Sequence, residues 1–141
     1  MKKKFGLILL ALTMCMGSIA PVYAAANQNT STVIKHVDPR YKDIQMIITS
    51  FEVLPSGRAE YGAQIFTTSG YKIRVRGEIE EWRNGEWVSI YSDTRSEKVR
   101  DMSYNGYTVV DPDGDYRMKY TITVSYGSGS VETVTEYHYA N

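Results

Sequence analysis

The chain has 141 residues, 16 of them basic and 16 acidic, with a single cysteine, Cys15. This balance provides no clustered Lys and Arg surface for nucleic acid, and one cysteine excludes an internal disulfide framework. The length fits one domain, able to bury roughly two-thirds of its unfolded surface.

Residues 1–26 have the three parts of a secretory leader: Lys2 to Lys4, an apolar run from Phe5 to Ala20, and small residues at Ala24, Ala25 and Ala26. Cleavage after Ala24 or after Ala26 fits the pattern. The apolar run is short for a membrane span. Cys15 follows Met14 inside that run, which does not suit a lipid-accepting cysteine. Removing the leader leaves 115 residues, 13 basic against 16 acidic, and no cysteine. The expectation is a secreted protein, free of the membrane after cleavage.

Residues 27–43 are polar, without a sustained apolar period, and interrupted by Pro39. They read as a flexible lead-in or a partly docked arm. From residue 44 to the end, a single β-domain is expected. Val, Ile, Thr and Tyr dominate, and turn residues recur at intervals of roughly ten. Seven strands are predicted, over 44–53, 58–68, 71–82, 86–92, 96–104, 116–126 and 131–139. With no room for crossover helices, they imply an all-β, antiparallel two-sheet sandwich, immunoglobulin-like or fibronectin type III-like.

The 116–126 strand has the cleanest period of two. Tyr116, Met118, Tyr120, Ile122, Val124 and Tyr126 fall on one face, and Arg117, Lys119, Thr121, Thr123 and Ser125 on the other. A four-residue loop would set Val131 opposite Tyr126. That register sends Thr133, Thr135, Tyr137 and Tyr139 inward and Glu132, Glu136 and His138 outward. In the 71–82 strand, Trp82 shares an outward parity with Arg74, Arg76, Glu78 and Glu80. Asn84-Gly85 then forms a tight turn. A two-residue turn puts Trp87 opposite Trp82, both pointing away from Ile79, Val88 and Ile90. A three-residue turn with a bulge turns Trp87 inward instead.

Asp111, Asp113 and Asp115 alternate in "DPDGD" and raise the question of calcium. An EF-hand loop needs glycine at its sixth position and glutamate at its twelfth; here those are Tyr116 and Ile122. A looser calcium site on the three aspartates is the weak alternative. Asp-Pro-Asp-Gly is a sound β-turn, and Tyr116 after it resembles the tyrosine corner of immunoglobulin-like sandwiches.

The run "GDYRMKYTITVSYGSGSVETVTEY", after the Trp82–Trp87–Ile90 hairpin pattern, resembles small secreted proteins of Gram-positive bacteria over residues 65–140. The resemblance implies secretion and a sandwich and supplies no active-site residues.

Catalytic groups are scarce. Glu78 and Glu80 stand about 7 Å apart by strand rise, within glycosidase carboxylate separations, but on a flat face beside Arg74 and Arg76. The two histidines, His36 and His138, are remote from each other in sequence, and no G-x-S-x-G turn is present. "LPSGR" at 54–58 lacks the threonine and the apolar tail of a cell-wall sorting signal. No cofactor is expected, nor any metal beyond the weak calcium alternative. The expected role is a non-catalytic binding or interaction module, monomeric, with an extracellular protein or glycan as partner. Trp82, Arg74, Arg76, Glu78 and Glu80 are its candidate contact residues. The alternatives are a small extracellular enzyme or inhibitor acting on cell-wall carbohydrate, and a structural protein recruiting further copies through an edge strand.

Overall fold

The computed structural model describes residues 32–36, 43–69, 72–127 and 129–140, the first of these segments by its backbone alone. The expected leader with its two candidate cleavage sites, and Cys15, lie outside the described residues. Eight strands form: β1 (Thr32–His36), β2 (Ile44–Val53), β3 (Arg58–Thr67), β4 (Lys72–Arg83), β5 (Glu86–Glu97), β6 (Asp101–Val109), β7 (Tyr116–Ser125) and β8 (Val131–Tyr139). They make two antiparallel sheets, ordered β1-β2-β3-β6 and β5-β4-β7-β8. No helix occurs among the described residues, so none is long and apolar enough to cross a membrane. The expected sandwich is present, with β1 as an additional strand that pairs Thr32–His36 with Met46–Ser50.

Alternation builds the core. Ile47 and Phe51 of β2, Ile65 of β3, Val75 and Ile79 of β4, Tyr104 of β6 and Met118, Tyr120 and Ile122 of β7 are all at most 1% exposed. Each fully buried aliphatic or aromatic side chain contributes about 1.5–3 kcal/mol from transfer alone. Tyr120 also ties the sheets together. Its hydroxyl crosses the core, donates to the Ser50 carbonyl at 2.6 Å, and accepts the Gly62 N–H at 3.1 Å. Because Ser50 and Gly62 are cross-strand partners, one side chain of β7 bridges β2 and β3.

Three readings of the sequence are corrected. The strand expected over 96–104 is β6, Asp101–Val109, while β5 stays paired with β4 as far as Glu97. The signal was faint because the inward positions after Tyr104 are Gly106 and Thr108. Space at Gly106 is filled by the Tyr61 ring, which a Cβ there would strike.

The second correction concerns β8. Tyr126 donates its N–H to Ser130 (3.0 Å), Gly129 takes φ +85° and donates to Tyr126 (3.0 Å), and Ser125 faces Val131. The connection is one residue tighter than expected, as in three-residue hairpins closed by a left-handed glycine. One residue of slip exchanges the two faces of a strand. Glu132, Val134, Glu136 and His138 therefore face inward, and Val131, Thr133, Thr135, Tyr137 and Tyr139 outward. His138 is buried, its Nδ1 3.5 Å from Thr49 Oγ1, and Glu132 accepts the Tyr126 hydroxyl at 3.0 Å.

The third is a bulge. Ile79 pairs with Tyr91 but Glu80 with Ser89, so Ile90 is the extra residue of β5 and is 36% exposed. Beyond it Tyr91 turns back toward the core, its hydroxyl 3.0 Å from that of Tyr61.

Candidate functional site

Asn84 (φ 52°) and Gly85 (φ 89°) occupy the two central positions of the β4–β5 turn, both left-handed as a type I′ turn requires. That two-residue turn sets Trp82 directly opposite Trp87, with ring centroids 5.2 Å apart. Both rings sit on the outer face of the sheet, and Trp82 is 45% exposed.

The cross-strand register completes the face. Glu80 of β4 lies beside Arg117 of β7, which lies beside Tyr139 of β8; one row along, Glu78, Lys119 and Tyr137 repeat the arrangement. Arg117 stands at the centre. Its Nε donates to Glu80 Oε2 at 2.6 Å, and Nη1 reaches the Tyr139 hydroxyl at 3.4 Å. The guanidinium carbon lies 4.5 Å from the centroids of both Trp87 and Tyr137 and 6.0 Å from that of Tyr139. Trp87 and Tyr139 meet edge-on at 5.7 Å. Partial burial works against the charge on Arg117, but the bonds to Tyr139 and Glu80 outweigh it, and its pKa moves upward.

The result is a contiguous aromatic surface on the outer face of the sheet, organised around an ion pair that is largely withdrawn from water. Trp82, Tyr137 and Tyr139 keep about half of their surface exposed. Apolar rings carrying polar tips, fixed in position, are the side chains that contribute most at recognition surfaces.

Of the residues singled out in the sequence, Arg76, Glu78, Glu80 and Trp82 share this face. Glu78 pairs with Arg76 at 2.9 Å and with Lys119 at 3.5 Å, and Glu80 with Arg117. Both carboxylates are committed to cations on an open sheet, not set across a cleft. Arg74 lies on the same face but further along β4, beside Ser96 and Thr123. The members missed in the sequence are Trp87, Arg117, Tyr137 and Tyr139. Only the Asn-Gly dipeptide, which favours the two-residue turn, pointed to Trp87.

Asp111, Asp113 and Asp115 form the turn before β7. Asp111 Oδ1 accepts the Asp113 N–H (3.0 Å), the Asp111 carbonyl accepts the Gly114 N–H (3.3 Å), and Asp115 accepts the Trp82 N–H (2.9 Å). Among the described residues, no three His, Cys, Asp or Glu side chains gather as a metal site. Tyr116 is 3% exposed, with its ring end packed where a Gly114 Cβ would stand. Burial pushes its phenol pKa up, and its hydroxyl also has a hydrogen bond to the Asp111 backbone. His36 falls in β1, whose side chains lie outside the described residues.

Comparison with known proteins returns no match: no family model, no curated protein and no solved structure aligns with the chain. The site is therefore read from its own geometry.

Proposed function

We propose that this protein is a secreted, non-catalytic binding module that engages an extracellular protein or glycan through the outer face of the β5-β4-β7-β8 sheet. The observation that carries the reading is the exposed aromatic array around Arg117, in which Trp82, Tyr137 and Tyr139 present ring surface to solvent. Each ring is placed by a neighbour, so little side-chain freedom is lost when a partner covers them. Export is supported by the leader-like residues 1–26. A fibronectin type III-like class for the sandwich is supported by the order β2-β3-β6 against β5-β4-β7-β8 and by Tyr116 at the head of β7.

The test is retention of partners on immobilised mature protein, from culture medium and from purified cell-wall glycan. Native protein should retain a partner that Trp82→Ala and Tyr137→Ala variants lose, with thermal unfolding of the variants close to native. Equal recovery on all three proteins would sink the proposal.

A further inference from the structure

The outer face of the opposite sheet carries a groove of about 690 Å3. Its floor is the row Ser50–Gly62–Asn105, set by the pairing of β2, β3 and β6. Gly62 has no side chain, and the Ser50 hydroxyl leans over it, its Oγ 3.0 Å from where a Gly62 Cβ would stand. A row flanks this one on either side. One carries Gln64 and Ser103; the other carries Glu60 and Tyr107. At roughly 4.8 Å per strand the trough crosses three strands over about 10 Å. Its volume lies within the range of about 300–1,000 Å3 that small-ligand sites occupy.

From this geometry we infer a second binding site, for a neutral oligosaccharide lying across β2, β3 and β6. Ser50, Gln64, Ser103 and Asn105 are uncharged and carry both donors and acceptors, as sugar hydroxyls do. An apolar ligand would bury these groups without partners, which costs free energy at each one. Tyr107, 60% exposed, supplies a ring for the C–H face of a pyranose. Its other side is occupied: Arg58 stacks on it with Cζ 3.9 Å from the centroid. Arg58 is itself paired to Glu60 at 2.6 Å, which fixes the ring and offsets the one cation among the described residues that line the groove. A phosphate, sulfate or uronate would have to displace Glu60 from Arg58, and anionic ligands are disfavoured on that account. The site is separate from the Trp82 face, which lies on the other sheet, and does not depend on it.

Calorimetric titration of the mature protein with hexasaccharides of β-1,4-linked glucose, mannose and N-acetylglucosamine tests the inference, with an oligogalacturonate of equal length as the anionic arm. At least one neutral hexasaccharide should bind. Tyr107→Ala should weaken that binding at least about tenfold, and Asn105→Ala several-fold. Trp82→Ala should leave it unchanged, which separates this site from the aromatic face. Both groove substitutions are at exposed positions, so thermal unfolding should confirm an intact fold. The inference is overturned if all three neutral saccharides fail to bind. It is likewise overturned if binding survives both groove substitutions, or if the oligogalacturonate binds more tightly than they do.

Discussion

Tyr120→Phe is the sharpest perturbation of this fold, because it removes one oxygen atom and leaves the packed ring in place. The hydroxyl is fully buried and makes two hydrogen bonds, to the Ser50 carbonyl (2.6 Å) and from the Gly62 N–H (3.1 Å). Without it, a backbone acceptor on β2 and a backbone donor on β3 lose a partner together. Each orphaned buried group costs about 1–3 kcal/mol. Some re-closure of the β2–β3 ladder offsets part of this, so the expected loss is about 2–4 kcal/mol. Against a total stability of about 5–15 kcal/mol, that is a large fraction. At about 4–8 °C per kcal/mol for a domain of this size, Tm should fall by roughly 8–32 °C. The measurement is urea unfolding followed by circular dichroism, with the midpoint shifted and the slope unchanged. Tyr104→Phe is the control, since the Tyr104 hydroxyl, which has a long 3.4 Å bond to the Asp93 carbonyl and a side-chain bond with Tyr61, does not join the backbones of two strands. A Tyr120→Phe loss no larger than the Tyr104→Phe loss would refute the bridging role.

Arg117→Ala should destabilise by about 2–4 kcal/mol, because Glu80 would be left nearly buried without its cation. Adding Glu80→Gln should restore part of that loss in the same denaturant assay. Alkaline pH should unfold the protein early. Burial, before any other cause, raises the phenol pKa of Tyr61, Tyr104, Tyr120 and Tyr126 above the usual value of 10.0. A raised folded-state value means stability is complete below pH 10 and is lost as pH climbs beyond it. A pH titration of Tm that stays flat to pH 12 would contradict this. For β8, Val134→Asp should be severely destabilising and Thr135→Asp nearly neutral; the reverse order in thermal unfolding would restore the looser hairpin register.

What the sequence disclosed depended on how different the two faces of each strand were. In β7, tyrosine and aliphatics alternate with Arg, Lys and Thr, and the inward set is buried as expected. In β6 the inward side ends in Gly106 and Thr108, so alternation vanished where the strand continued. Trp82 was legible as outward because Glu78 and Glu80 share its parity. Its companions were hidden behind the connections between strands. Trp87 depended on the length of the Asn84-Gly85 turn, and Tyr137 and Tyr139 on which glycine closed the β7–β8 hairpin. Nothing local to Arg117 showed that two rings from different strands would converge on it.

The inversion of β8 joins two properties of the sandwich. β8 is an edge strand, and its inward face carries Glu132, Glu136 and His138 where β7 carries Tyr and Ile. Charged side chains pointing inward are one way to keep an edge from accepting another strand, since a pairing copy would have to bury them. They oppose the structural alternative in which this edge recruits a second molecule. The same parity lifts Tyr137 and Tyr139 to the outer face, within reach of Arg117. Had the hairpin closed one residue later, the tyrosines would be core residues and the glutamates would stand beside Lys119 and Arg117, forming a charged surface without an aromatic array. The left-handed turn at Gly129 thus decides both how the edge is protected and what the outer sheet offers to a partner.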